Sequence, residues 1–142
     1  MKFFILSAAA LSLFVSGASA DPIAERKELM KERGPLMRVL GPIAQGQQPF
    51  DAAAVMDALE KLNTNAEAID VAALWPEGSE TGDTKSSPKI WEDMAGYQAA
   101  TDKYTAVTQA AVAANPQDLA SFRAAFRPVA ASCGACHEAY RM

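Results

Sequence analysis

The chain has 142 residues, half of them hydrophobic, with 13 basic and 17 acidic side chains and a formal charge of −4. That balance argues against nucleic acid as a partner, because nucleic-acid binders present a surplus of Lys and Arg. Two cysteines and one histidine are also too few for a zinc site, which takes about four ligands, unless carboxylates complete it.

Taken in order, the chain opens like an export signal. Lys2 gives a positive start, Phe3 to Val15 is an apolar run too short for a stop-transfer span, and Ala18-Ser19-Ala20 has the small residues of a cleavage site. Residues 21–142 then form one domain, long enough for a single compact core. Without Lys2, 12 basic side chains face 17 acidic ones, a formal charge of −5. Such a surface suits a redox partner with a basic patch. No later stretch is apolar and long enough to cross a membrane, so the expected location is the periplasm.

Four amphipathic segments follow, and none alternates as a strand does. The first carries Leu29, Met30, Leu36, Met37, Leu40 and Ile43 on one stripe. Gly34-Pro35 and Gly41-Pro42 interrupt it, and each proline removes a backbone donor and crowds the turn before it. A kinked helix ending near Leu40 is predicted. Residues 45–49 read as a loop, and Asp51 as the N-cap of a second helix. That helix carries Val55, Leu59, Leu62, Ala66 and Ile69 at alternating steps of four and three, the seam pattern of a bundle.

Residues 71–87 read as a long connection, polar and turn-forming from Pro76 to Asp83, with Trp75 at its head as a lid on the core. Ser87-Pro88 predicts the start of a third helix with Ile90, Met94, Tyr97, Thr101, Tyr104, Thr108 and Ala111 along its seam. Asn115-Pro116 repeats the cap-then-proline device, with Asp118 supporting it. The fourth helix carries Leu119, Phe122, Phe126, Val129, Cys133, Cys136 and Tyr140, and Pro128 is expected to loosen it near Ala124. The predicted fold is therefore all-α, an antiparallel four-helix bundle with one long middle connection.

The fourth helix ends in Cys133-Gly134-Ala135-Cys136-His137, the attachment signature of a c-type haem. Two thiols add across the porphyrin vinyl groups and the adjacent imidazole takes an axial position on the iron. Positions i, i+3 and i+4 project from one helical face. A thioredoxin-type Cys-x-x-Cys would follow a strand, and nothing upstream reads as a sheet. Both cysteines fall on the apolar seam, so the cofactor, one covalent haem c, is expected inside the bundle. His137 is the lone histidine, so the sixth position is open or filled by another donor. Met30, Met37, Met56, Met94 and Met142 are the methionines of residues 21–142; Met30 and Met37 lie on the inner stripe of the first helix, while Met142 is too close to His137 in sequence to reach the opposite face.

With these elements in place, the chain resembles the class II c-type cytochromes, the cytochrome c′ family. The likeness runs through Arg26-Lys27-Glu28-Leu29-Met30-Lys31, residues 46–51, Leu74-Trp75-Pro76-Glu77-Gly78-Ser79, Pro88-Lys89-Ile90-Trp91 and the terminal motif. The resemblance implies thioether links at Cys133 and Cys136 and His137 as proximal ligand. Met30 matches the distal position, a ligand in the low-spin branch and only a plug in the gas-binding one. Residues 86–91 look closer to the low-spin branch, which implies Met30 as an iron ligand. Arg26 matches a propionate partner, and Arg141 the arginine beside the proximal imidazole. Trp75 and Trp91 read as packing residues. The implied function is non-enzymatic electron transfer to an unidentified redox protein. Binding of nitric oxide or carbon monoxide at five-coordinate iron is the alternative, and homodimer formation is compatible with either.

Overall fold

The computed structural model describes residues 21–142, so the expected signal peptide at residues 1–20 lies outside the described residues. Six helices are present among them: α1 (Pro22–Gln45), α2 (Ala52–Glu67), α3 (Val71–Leu74), α4 (Lys89–Glu92), α5 (Met94–Ala113) and α6 (Leu119–Tyr140). The long ones, α1, α2, α5 and α6, make the antiparallel four-helix bundle that the seam patterns predict. α2 packs between α1 and α5, α6 closes the ring, and its α1 side is the more open.

The first helix runs further than its prolines suggest. Pro35 and Pro42 both lie inside α1, which ends at Gln45 rather than near Leu40. An interior proline costs about 3 kcal/mol. Opposing it, Leu40 and Ile43 are buried, with Leu36 and Met37 packed against the same core, and each fully buried large aliphatic side chain contributes roughly 1.5–3 kcal/mol. Tertiary burial therefore carries the helix through both prolines. It stops at Gly46, whose φ of 75° is a left-handed conformation open to glycine. There the Gly46 N–H donates to the Ile43 carbonyl and the Gln47 N–H to the Pro42 carbonyl, a Schellman closure.

Asp51 caps α2 as predicted, accepting from the Ala53 and Ala54 N–H groups. Val55, Leu59, Leu62 and Ala66 are all buried. Ile69 falls just beyond the helix, against the core. The connection is less open than its composition suggests: Asp70 caps the extra turn α3, and Trp75 is buried as the expected lid.

Two further helix starts differ from the sequence reading. The third segment is broken at Asp93, so Ser87-Pro88 opens only the four-residue α4. Asp93 then caps α5, its carboxylate accepting from the Gly96 N–H at 3.0 Å. A Cβ at Gly96 would come within 2.2 Å of Asp93 Oδ2, so any larger residue there would make the carboxylate shift. Asn115-Pro116 does not start the last helix. Asn115 adopts a positive φ of 41° beyond the end of α5, and Asp118 is the true N-cap of α6 in a reciprocal capping box with Ser121. α6 spans Pro128 without interruption.

Two hydrophobic clusters result. One joins Leu40, Val55, Leu59, Leu62, Tyr104, Phe122, Phe126 and Val129 along the bundle axis. The other groups Val71, Leu74, Trp75, Ile90 and Tyr97 beneath the connection. Cys133 packs against the first and Cys136 against the second, so the cysteine turn of α6 joins them.

Candidate cofactor cavity

A cavity of about 620 Å³ opens on the α1–α6 side, with a lining far more apolar than polar. Its size falls within the roughly 300–1,000 Å³ typical of sites for organic ligands. α6 supplies Cys133, Cys136, His137 and Tyr140; α1 supplies Arg26, Met30, Arg33 and Met37; α5 supplies Tyr97, Thr101 and Tyr104. The connection closes one end with Trp75 and residues 83–86.

Both cysteines are half-buried. Burial pushes the pKa of both upward, with Arg33 opposing the shift. His137 is exposed at the mouth. Partial burial of its ring, followed by repulsion from Arg141 and Arg33, holds its pKa below the ordinary imidazole value. A neutral imidazole is the form that binds metals. Among the described residues no cluster of three or more His, Cys, Asp or Glu side chains could hold a bare metal ion.

Three buried polar atoms have no hydrogen-bond partner: Arg26 Nε, Arg33 Nη2 and the Tyr104 hydroxyl. All three belong to residues that line this cavity. Buried donors are almost always satisfied, so their convergence fits a ligand that is largely apolar and carries acceptors. A porphyrin with carboxylate side chains has that character. Burial also pushes the Tyr104 hydroxyl up to about 12, with Arg33 pulling it back.

The predicted site residues fall as follows. Cys133, Cys136, His137, Met30, Arg26 and Arg141 all line the one cavity. Met30 is 39% exposed and faces the cavity from α1. Arg26 is almost fully buried and much of its hydrogen-bonding capacity is already used. Nη1 donates to the Leu74 carbonyl and to Ser79 Oγ, and Nη2 to the Ser79 carbonyl. The Arg26 guanidinium also lies 5.6 Å from the ring centroids of both Trp75 and Trp91. Arg141 caps α6 through its N–H to the His137 carbonyl and bridges to Ser86. Met142 is exposed, its N–H donating to the Lys85 carbonyl.

Sequence reasoning missed Arg33, Tyr97 and Tyr104 as wall residues. The tyrosines occupied the predicted seam and read as core. Arg33 was not singled out, although its i+3 spacing from Met30 puts the two on one face. Basic groups also gather at this side: Lys27, Lys31, Lys85 and Arg141 line the cavity, with Asp83 the one acidic residue among its lining. Lys27 pairs with Asp83 and Lys31 with Glu28, and such exposed pairs contribute no more than about 1 kcal/mol.

Comparison with known proteins agrees with this architecture. The profile of the family described as Cytochrome C′ matches residues 21–141. The chain is 37% identical to a cytochrome c-556 of Agrobacterium fabrum, covering 100% of this chain and 97% of that one. Its backbone is similar to cytochrome c′ from Rhodopseudomonas palustris, with a TM-score of 0.79, 33% identity, and 87% and 97% of the two chains covered. It is also similar to an NMR-validated structure of oxidised R. palustris cytochrome c556, with a TM-score of 0.72, 32% identity, and 86% and 96% covered.

Proposed function

The chain belongs to the cytochrome c′ family of class II c-type cytochromes, with one covalently attached haem c, and from that premise we propose that it is a periplasmic electron-transfer protein with His137 and Met30 as axial ligands. The bound haem supplies an iron that gains and loses one electron. Cys133 and Cys136 would hold the cofactor by thioether links, at the point where the two hydrophobic clusters meet. His137, the next residue on the same turn, would ligate its iron. Met30 supplies a soft, neutral donor from α1, and such a donor raises the reduction potential relative to harder ones. Arg26 holds the connection over one end of the cavity and puts a positive charge there that would favour a propionate. Arg141 keeps a positive charge beside His137 and opposes its protonation.

The observation that carries this reading is the convergence of the Cys-x-x-Cys-His turn of α6 and Met30 of α1 on a single apolar cavity. Location outside the cytoplasm is supported by the signal-like residues 1–20. Among the described residues no helix is long and apolar enough to cross a membrane.

The chain is also 34% identical to a cytochrome c′ from Alcaligenes xylosoxidans solved as the nitric oxide complex of a point mutant, which favours a second reading, in which the Met30 side chain only packs and five-coordinate iron binds nitric oxide or carbon monoxide. The ferric optical and EPR spectra of the purified holoprotein at neutral pH decide between the two. Low-spin signals are expected. High-spin signals would leave Met30 unbound and make this a gas-binding member.

The basic rim makes its own prediction. Although the protein is acidic overall, an anionic oxidant should be drawn to the cavity mouth. Stopped-flow oxidation of ferrous protein by ferricyanide should slow roughly tenfold from low to high ionic strength, and the Lys31→Glu/Lys85→Glu double variant should lose most of that dependence. Rates that climb with salt would mean that net charge, not the rim, governs the encounter.

A further inference from the structure

Arg33 lies one turn beyond Met30 on α1, in the cavity wall. Its Nε–H donates to Asn65 Oδ1 at 2.6 Å. Its Nη1–H donates to the Met30 sulfur at 3.4 Å. The guanidinium carbon stands 4.6 Å from the Tyr104 ring centroid. Nη2 is buried without a partner.

None of the ion pairs among the described residues involves Arg33. The acid linked to it is Glu32, one amide removed, since Asn65 Nδ2 donates to Glu32 Oε2 at 2.7 Å. A guanidinium keeps its proton at any physiological pH. Arg33 is therefore a fixed positive charge in the cavity wall, held in place by Asn65 and the Tyr104 ring. In a partly buried site that charge is screened far less than it would be in water.

We propose that Arg33 is a positioning residue for the redox centre, acting in two ways. Its Nη1–H orients the Met30 thioether by occupying one sulfur lone pair and leaving the other for the metal. Its charge opposes the additional positive charge of the ferric state and so favours the ferrous state. The step concerned is the uptake of one electron by ferric iron from a donor protein, with no proton gained or lost by Arg33. The charge effect rests on haem occupying the cavity, not on Met30 ligation; the orienting contact rests on both.

The test is a spectroelectrochemical titration of haem-loaded protein, with the ferric-to-ferrous ratio read at the wild-type midpoint. Arg33→Gln should raise that ratio about tenfold, a fall of about 59 mV for a one-electron couple. Arg33→Lys keeps the charge and should stay within about threefold. Both variants should move the Met30 methyl resonance in the proton NMR spectrum of the reduced protein, because neither reproduces the guanidinium–sulfur contact. Arg33→Met removes the orphaned N–H with the charge and replaces the glutamine variant if that one loads haem poorly. Neutral variants that titrate within twofold of wild type, or lysine and glutamine variants that shift equally, would overturn the charge effect. An unmoved Met30 resonance would overturn the orienting contact. A high-spin wild-type spectrum defeats Met30 ligation alone and leaves the charge effect measurable. Protein without covalent haem defeats the functional reading itself.

Discussion

Replacing Met30 with alanine should convert the ferric holoprotein from low spin to high spin and lower its reduction potential by something on the order of 0.1 V. The methyl group of alanine cannot donate to iron, and no second histidine exists to take the position. Met37 also lines the cavity, but it packs against the main core. Loss of a metal ligand is also among the substitutions that cost stability, so the variant should unfold at a lower denaturant concentration as well. Chemical denaturation run beside the optical and EPR spectra separates the two effects. A variant with an unchanged ferric spectrum would rule out Met30 as the sixth ligand.

The largest loss of stability is expected at Arg26. Arg26→Met keeps the side-chain length and the contact with the two tryptophan rings, but strands the Leu74 and Ser79 carbonyls that the guanidinium now satisfies. Hydrogen bonds to a charged group contribute about 1.5–3 kcal/mol each, and part of that is regained because a buried cation no longer needs to be desolvated. Burial indeed lowers the Arg26 pKa, with Tyr97, Asp21 and Glu80 opposing the shift. A net loss of about 3 kcal/mol is expected, large against a total of roughly 5–15 kcal/mol for a domain. Urea unfolding of the haem-loaded protein should show it as a lower midpoint with an unchanged slope. Limited proteolysis should cut first within residues 76–87, because Arg26 ties that connection to α1. Unchanged stability with an altered haem spectrum would instead make Arg26 chiefly a propionate partner.

These two residues lie one turn apart on α1, yet they show how differently a position can be read from sequence. The periodic seams placed Val55, Leu59 and Leu62 of α2, and Phe122, Phe126 and Val129 of α6, in the core, where all six are buried. Asp51 was legible as a cap because its partners are two and three residues away. The Cys133–Cys136–His137 turn was legible because its chemistry depends only on helical spacing. The Asp93 cap had a signal that was overlooked: an Asp three residues before a glycine, inside a helical pattern.

The sequence by itself determined the all-α class, the inward face of each long helix and the cofactor-bearing turn, because each depends on contacts within a few residues of chain. Only the tertiary structure decided that α1 continues through Pro42, that Arg26 grips residues 48 and 53 positions away, and that Arg33 lies against Met30 and Tyr104. Helical periodicity states which side of a helix is buried, but not which atoms lie opposite. The energy that overrides a proline, or holds a guanidinium in a cavity wall, comes from partners distant in sequence that folding brings together.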